Sequence, residues 1–352
     1  VNLLLITGSI FFLYIKIKDK EKILKESWEY IFIILWIYLI VTSFFSIDFL
    51  KAFKASFSQI RFLLFSLFIG FYLNLYYNYK KLFILWKLIL AFVCIDVIYQ
   101  FFNGVNLLGF AAEHYTPGIS KFSHISRLGG VFQDELVVGS FIAKLSYPII
   151  FYLAYKFQSG KLQMKIFSLI LITLFSVSVF ITGERLSFII ILSAIFFASL
   201  FILDLKKILI LVILLSSTGF IFYEQNRFLK TRVTETIEII LNIHHSSYGR
   251  IFVSSYEVWK KNKLIGSGLK NYNNECVKLE DKNIFNSNFP YCSPTHSHNI
   301  LLQVMSETGL FGLIIFVALY FSLLKYLLLK YSRIKHDMSD EMKSIFKGCY
   351  IF

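Results

Sequence analysis

Four polar segments carry the residues of this chain whose types suit chemistry. The segment RLGGVFQDE starts at Arg127, TGERLS contains Arg185, YGRIFVSSYEVW contains Arg250, and THSHNILLQ contains His298 and Asn299. Arginine binds phosphates through paired hydrogen bonds, and a neutral imidazole takes a proton from a hydroxyl near neutral pH. These residue types indicate a site that holds an anion and deprotonates a hydroxyl.

Arg185 lies in a turn of only a few residues between two apolar stretches. Such a turn places the guanidinium at the lipid–water boundary, where it can bind a phosphate bidentately, as a lysine cannot. The alternative is an arginine that only anchors its helix at the interface. Arg127 directly precedes an apolar stretch, and Arg250 begins a predicted helix. We expect Arg185 and Arg250 to converge near the outer face of the membrane that the chain spans. Arg127 is a third candidate for this group of arginines.

His298 begins a long predicted helix and is the candidate general base. Asn299 and Gln303 are four residues apart on one helix face and can orient a sugar or the imidazole. The alternative is a histidine that caps the helix or lies at the interface. His296 and His298 form an H-x-H pair that raises the question of zinc. No third ligand stands at a suitable spacing, so we expect neither a metal nor a cofactor.

The composition indicates the kind of molecule that positions these residues. Hydrophobic residues make up 57% of the 352 residues and charged residues only 16%, whereas soluble domains are roughly a quarter charged. The mean hydropathy is +0.65. The net charge of +14 could suggest nucleic acid, but the lysines cluster just beyond apolar stretches. Basic loops at membrane ends explain that pattern, so membrane lipids are the expected surroundings and nucleic acid is not a partner.

Nine apolar stretches have the length that a helix needs to cross a hydrocarbon core of roughly 30 Å. They do not alternate polar and apolar residues, which argues against a β-barrel. The predicted fold is therefore all-α, a polytopic transmembrane helix bundle. The predicted stretches are 1–15 (partial), 29–47, 57–77, 82–102, 134–155, 166–182, 187–203, 208–223 and 308–329.

Short-loop lysines and arginines predict the orientation of the bundle. Segments 16–28, 156–165 and 330–343 are the basic ones and are assigned to the cytoplasm, so 103–133 and 224–298 face outward. The chain starts inside an apolar run and stops just after a basic loop, so we expect a fragment that lacks flanking helices.

The outer segment 224–298 is too long for a simple turn, and long loops in compact proteins are often functional. Helices are predicted in it at 231–243 and 250–262, so we expect a mostly helical outer subdomain. It also contains Cys276 and Cys292, which form either a disulfide or two free thiols. Downstream of it, Gly309 and Gly312 offer a break in a helix too long for one span.

Ordered motifs in the second half of the chain resemble those of a known family. They are G-R-x(8)-W at Gly249, Arg250 and Trp259, LIGSG at 264–268, and H-N-x-x-L-Q-x-x-x-E-x-G-x-x-G from His298 to Gly312. R-x-x-G-x-F at Arg127 and T-G-x-R at 182–185 precede them. In this order the motifs resemble the C-terminal domain of O-antigen ligases and Wzy-type polymerases.

The resemblance implies three parts of the chain: N-terminal transmembrane helices (1–126), the ligase-like domain with its periplasmic loop 224–298 (127–330), and a cytoplasmic loop with the start of a further span (331–352). It also implies a glycosyltransferase of the bacterial inner membrane with its active site facing the periplasm. The donor would be a glycan on a polyprenyl diphosphate. Arg127, Arg185, Arg250 and Asn299 would bind it, and His298 would be the catalytic base.

The resemblance leaves the acceptor open. An O-antigen ligase uses a lipid A core, a polymerase uses another lipid-linked glycan, and a protein O-oligosaccharyltransferase uses a protein. The block around His298 favours the ligase. Outside this class, a transporter or flippase of lipid-linked sugars is the alternative. Transporters typically have repeated, broken helices at the bilayer midplane, whereas the polar residues here are predicted at one membrane edge.

Overall fold

The regular structure of the protein is helical. The computed structural model describes residues 2–18, 22–76, 79–112, 127–133, 135–243, 246–280, 292, 297, 299–336 and 338–351. Apart from an isolated bridge between Val105 and Ala111, these residues contain no β-structure. The prediction of an all-α protein is confirmed.

The helices follow one another with short connections over most of the chain. In order they are α1 (Asn2–Lys18), α2 (Ser27–Ser43), α3 (Phe49–Ser58), α4 (Ile60–Tyr76), α5 (Tyr79–Asn103), a 3-10 helix (Gly130–Phe132), α6 (Val138–Ser159), α7 (Leu162–Ile181), α8 (Arg185–Ile202), α9 (Leu205–Gln225), α10 (Arg227–Leu241), α11 (Ser247–Lys261), α12 (Tyr272–Glu280), α13 (Ile300–Ile334) and α14 (Asp340–Ile351).

Seven helical segments among the described residues are long and apolar enough to cross a membrane. They are Phe49–Tyr72, Lys81–Asn103, Val138–Ser159, Leu162–Ile181, Arg185–Ile202, Leu205–Gln225 and Ile300–Ile334. All nine predicted stretches overlap helices. Helices α1 and α2 have 17 residues each and are shorter than the seven long segments. The chain is therefore a polytopic helical membrane protein, as predicted.

Several predicted boundaries differ from the structure, and two helix starts illustrate why. The stretch predicted at 134–155 begins at Val138, after the 3-10 helix and a short irregular segment. The stretch predicted from 57 begins eight residues earlier, because Asp48 caps α3 by accepting the backbone N–H of Lys51 (3.0 Å). Side-chain caps of this kind fix a helix start independently of hydropathy.

The helices form two compact units that are each built from two parts of the chain. The first unit contains Val1–Asn78 and Ile239–Leu329, and the second contains Tyr79–Glu238 and Lys330–Phe352. In the first unit α1 packs on α4, α2 packs on α3 and α4, and α11 packs on α12. The predicted boundary between the N-terminal helices (1–126) and the ligase-like domain (127–330) concerns the extent of the family domain. It stays a prediction.

Helix α6 is the centre of the second unit, where it packs against α7, α8 and α14. A Cβ atom at Gly348 would lie 2.8 Å from Cα of Pro148, so this glycine allows the close approach of α14 to α6. At the C-terminal end of α6, Lys156 pairs with Glu341, and Gln158 contacts Asp204 (3.3 Å). The contact between Lys156 and Glu341 joins two segments that the charge bias assigns to the cytoplasm.

Candidate functional site

The turn between α7 and α8 places Arg185 at the start of α8. Thr182 Oγ1 donates to the carbonyl of Val179 (2.7 Å), and Gly183 has a φ of 71°, which favours glycine. A Cβ atom at Gly183 would lie only 2.7 Å from the ring of Phe228. The T-G pair therefore ends α7 and turns the chain tightly, so that Arg185 follows directly.

Glu184 joins this turn to the start of α6. Its carboxylate accepts hydrogen bonds from the backbone N–H groups of Gly139 (2.7 Å) and Ser140 (2.9 Å) and from Ser187 Oγ (2.7 Å). The N–H groups of a first helical turn have no partner within the helix and favour a carboxylate. Glu184 thus fixes Arg185 relative to α6.

Arg185 and Arg232 share the carboxylate of Glu235. Arg185 Nη2 donates to Glu235 Oε2, and Arg232 Nη1 lies 3.2 Å from the same oxygen. The Arg232 guanidinium also lies 5.5 Å from the ring centroid of Phe228. Two guanidiniums share the Glu235 carboxylate, while the nearby Glu184 carboxylate already accepts hydrogen bonds from Gly139, Ser140 and Ser187. The Nε atoms of both arginines lack a hydrogen-bond partner within the described residues, so the cluster can bind a further anion.

A cavity of about 180 Å³ lies beside the two arginines. One part of its wall is polar and is formed by Glu184, Arg185, Arg232 and Thr236. The rest is Gly183 and apolar side chains, namely Phe180, Phe188, Ile189, Leu229, Val233 and Ile237. The two guanidiniums in the polar part, next to an apolar wall, suit the anionic end of an amphipathic molecule.

Arg127 belongs to the same unit and precedes the 3-10 helix. The backbone N–H of Gly130 donates to Gln100 Oε1 (2.9 Å), and Gly130 has a φ of 53°. Leu128 is buried in the core of the unit. The R-x-x-G-x-F motif is thus held by its glycine and leucine, with Arg127 half-buried at its edge.

Arg250 lies in the first turn of α11, in the first unit. Ser246 caps this helix by accepting the backbone N–H of Gly249 (3.1 Å), and Trp259 Nε1 donates to the carbonyl of Lys263 (3.1 Å). The G-R-x(8)-W motif therefore covers α11 from its first turn to its last turn. The convergence of Arg185 and Arg250 stays a prediction.

Helix α13 is broken at Gly309, where φ is 66° and ψ is −167°. The LIGSG segment packs into the break. The backbone N–H of Gly268 donates to the carbonyl of Glu307 (2.8 Å), and the N–H of Leu310 donates to the carbonyl of Lys263 (2.8 Å). These bonds use backbone groups that the break leaves without partners in the helix. The predicted break is confirmed.

Two glycines make this backbone contact possible. A Cβ atom at Gly266 would lie 2.5 Å from the carbonyl carbon of Glu307, and one at Gly309 would lie 2.3 Å from the carbonyl oxygen of Leu264. Gly266 also has a φ of 81°. The spacing of glycines in the two motifs is thus explained by one packed junction.

Asn299 caps α13, which begins at Ile300. Its Oδ1 accepts the backbone N–H groups of Leu301 (3.0 Å) and Leu302 (3.2 Å). The prediction that this helix begins at His298 is wrong by two residues, because the asparagine provides the cap. His298 and His296 lie outside the described residues, so the role of His298 as a base stays a prediction. A substrate contact of Asn299 also stays a prediction, and it would use the amide nitrogen.

Part of the chain matches a known family. Residues 169–317 match the sequence model of a family described as O-antigen ligase. The chain carries an O-antigen ligase family domain. The matched range contains Arg185, Arg250, His298 and Asn299, whereas Arg127 lies outside it. No curated protein and no solved structure matches the chain. The O-antigen ligase domain supports a ligase- or polymerase-like role in surface polysaccharide biosynthesis.

Two residues of the O-antigen ligase domain were not predicted, namely Arg232 in the arginine cluster and Glu307 beside the break in α13. Arg232 is three residues before Glu235 on a helix that the sequence predicts, a spacing at which side chains meet. Glu307 is the acidic residue of the long motif and is 2% exposed. The spacing of Arg232 and the motif position of Glu307 are both visible in the sequence. They did not mark a site, because charged side chains on a predicted outer helix are usually solvated.

Cys276 and Cys292 form a disulfide with their Cα atoms 5.6 Å apart. The sequence left open whether these cysteines form a bridge or two free thiols, and the structure has the bridge. The bridge packs with Val258, Leu279 and Tyr272, and burial raises the pKa of the Tyr272 hydroxyl.

Within the described parts of the O-antigen ligase domain, no cluster of three His, Cys, Asp or Glu side chains could hold a metal ion. Independence from metal stays a prediction.

Proposed function

We propose that this chain transfers a glycan from a polyprenyl diphosphate carrier to an acceptor hydroxyl at the periplasmic face of the bacterial inner membrane. The observation that carries the proposal is the cluster of Arg185, Arg232 and Glu235 beside an apolar cavity. A prenyl diphosphate has the same division into an anionic end and an apolar chain. The O-antigen ligase domain supports a lipid-linked glycan as the substrate.

The arginines bind and stabilise the leaving group in this mechanism. The acceptor oxygen attacks the anomeric carbon and forms the new glycosidic bond. The bond between that carbon and the phosphate oxygen breaks, and its electron pair leaves with the diphosphate. Negative charge grows on the departing diphosphate, where preorganised guanidiniums stabilise it. Glu235 occupies the position of an anion in the free protein, and the diphosphate displaces it from Arg185 and Arg232.

His298 is the proposed general base that takes the proton of the acceptor hydroxyl. Its position immediately before the Asn299 cap supports this role, because the N-terminal end of a helix disfavours the imidazolium form. A neutral imidazole can accept a proton. Asn299 and Arg250 are proposed to hold the substrate near this residue.

The disulfide supports an outward orientation of the segment between α9 and α13. Disulfides form and persist in oxidising compartments such as the periplasm. In the first unit, Asn271 also exchanges hydrogen bonds with the backbone of Asp48 (3.2 Å each). Asp48 follows α2, which begins at the predicted cytoplasmic segment 16–28, so Asp48 is predicted on the outer side together with Asn271. Their contact supports a periplasmic active site.

The acceptor proposed here is a lipid A core, as for an O-antigen ligase. A polymerase that extends a lipid-linked glycan and a protein O-oligosaccharyltransferase remain the alternatives within this reaction type. Analysis of the product separates them, because the glycan appears on lipopolysaccharide, on longer lipid-linked chains or on protein.

Substitution of Arg185 by lysine tests the diphosphate site. Arg185→Lys keeps the charge but loses the paired hydrogen bonds, so transfer in a knockout strain should fall about 10- to 100-fold. Arg227→Lys is the matched control, because Arg227 is exposed at the start of α10 and does not line the cavity. It should retain full transfer at equal protein level. Equal activity of both variants would remove the bidentate role of Arg185.

A further inference from the structure

A buried carboxyl in the first unit has no assigned role. Glu307 lies two residues before the break in α13 and is 2% exposed. The backbone N–H of Lys270 and the side chain of Gln303 interact with the carboxyl. Its Oε1 has no hydrogen-bond partner among the described residues. A buried acceptor without a donor is costly and rare in folded proteins, so a donor from a ligand is a physical explanation for it.

Glu307 lines a cavity of about 280 Å³ whose wall has a polar part and an apolar part. Gln59, Gln303, Glu307 and Thr308 provide the polar groups. Most of the remaining wall is apolar and includes Phe32, Leu35, Leu39, Phe316 and Leu319. Trp36 also lines the cavity, and its Nε1 donates to the carbonyl of Phe57 (3.3 Å), which fixes the ring.

The chemistry of this wall selects an uncharged, hydroxyl-bearing ligand. A buried carboxyl accepts hydrogen bonds and offers no positive charge to a phosphate, so it favours a hydroxyl-bearing ligand over the diphosphate. Sugar hydroxyls can donate to Glu307 and accept from the amide groups of Gln59 and Gln303. The C–H face of a sugar ring packs on an aromatic ring such as Trp36, and the apolar wall accommodates a hydrocarbon chain.

We propose that this cavity binds the uncharged sugar of an amphipathic glycolipid, with Glu307 accepting a hydrogen bond from a sugar hydroxyl. The assignment of this glycolipid to the acceptor side of the reaction rests on the proposed function. Gln303 and Glu307 are four residues apart and share a face of α13 near its Asn299 cap.

A matched pair of amphiphiles tests the site directly. The protein is placed in lipid nanodiscs and titrated with octyl β-D-glucopyranoside or with octyl tetraethylene glycol ether, which has the same alkyl chain but no sugar. The glucoside should change the tryptophan fluorescence in a saturable way, and Trp36→Phe should abolish the change. The ether should bind at least tenfold more weakly. Equal affinity for the two amphiphiles would overturn the proposal.

Two carboxyl variants assign the binding to Glu307. Glu307→Gln keeps the size of the side chain but loses the charged acceptor, so it should weaken glucoside binding at least tenfold. Glu257→Gln is the control, because Glu257 lies on α11 outside the cavity, and it should bind as the unchanged protein does. Unchanged affinity in Glu307→Gln, at an unchanged unfolding temperature, would overturn the proposal.

A second polar variant covers the case in which Glu307→Gln does not fold. Gln303→Ala should then weaken glucoside binding several-fold, and unchanged affinity would overturn the proposal. None of these readouts uses glycan transfer. Glucoside binding through Glu307 in a protein that transfers no glycan would therefore support this site while it refutes the proposed function.

Discussion

At the scale of single residues, the arrangement of Arg185 separates the two interpretations that its sequence position allows. An arginine that only anchors a helix needs no second guanidinium and no shared carboxylate. Arg185 has both, because Arg232 and Glu235 complete a cluster of opposite charges. The cluster is half-buried, so its charges are less screened by water than those of an exposed pair. This arrangement favours anion binding.

Removal of the shared carboxylate should strengthen donor binding. Glu235→Gln removes the charge that competes with the diphosphate for Arg185 and Arg232, so KM for the lipid-linked donor should fall several-fold. Steady-state kinetics with varied donor concentration measure this change. Glu238→Gln is the matched control, because Glu238 is exposed on the same helix. A higher KM in Glu235→Gln than in the control would contradict competition by Glu235.

The two histidines of the H-x-H pair should differ in importance. A general base contributes typically 10²–10⁴-fold to the rate, so His298→Ala should lose transfer by a factor in that range. His296→Ala should retain most activity, because only His298 directly precedes the cap of α13. The two variants are compared by glycan transfer in a knockout strain with expression confirmed. Equal activity would remove the general base, whereas loss in both together with bound zinc would indicate a metal site.

The sequence predicts some of the residues at these sites and not others. Arg185 and Arg250 were predicted because an arginine in a short outer turn or a family motif is conspicuous. Arg232 and Glu307 were missed because their roles depend on tertiary contacts, and a charged side chain on a helix is usually solvated. The capping role of Asn299 was missed because its amide was assigned to substrate.

At the scale of helices and loops, the main tertiary contact is the junction between LIGSG and the break in α13. Gly266 and Gly309 approach the facing backbone too closely for a Cβ atom. The sequence predicted the break from the glycines. It did not predict that the LIGSG segment, more than 30 residues earlier in the chain, supplies the backbone partners for it.

A methyl group at Gly266 should disrupt this junction. Gly266→Ala introduces a clash with the backbone of Glu307 and strains a φ of 81°, so the free energy of unfolding should fall by about 1–3 kcal/mol. Gly70→Ala in α4 is the control, because a Cβ atom there has nothing within 4 Å. Thermal unfolding in detergent compares the two. Equal unfolding temperatures would show that the junction contributes nothing to stability.

Helix positions were predicted better than helix ends. Apolar stretches mark where helices cross a membrane, so every predicted stretch falls on a helix. The ends depend on capping contacts, such as those of Asp48 and Asn299. The pairing of Cys276 with Cys292 stayed open in the sequence, because their spacing permits either a bridge or two thiols.

At the scale of the whole molecule, two units divide the chain in a way that its linear order does not indicate. Each unit combines two segments that are far apart in the sequence. The second unit contains Arg127, Arg185 and Arg232, and the first contains Arg250 and Asn299. The family domain at 169–317 contributes to both units. The sequence predicts the transmembrane helices, but packing between distant segments decides this division.

The measurement that most directly tests the central claim is glycan transfer by the purified protein in lipid vesicles. The vesicles contain a polyprenyl diphosphate-linked glycan as donor and a lipid A core glycolipid as acceptor, with no nucleotide sugar. The proposed function predicts one free polyprenyl diphosphate for each glycan joined to the acceptor, with the rate reduced about 10- to 100-fold in Arg185→Lys. Movement of the donor across the bilayer without any new glycosidic bond would instead indicate a transporter and would contradict the proposed function.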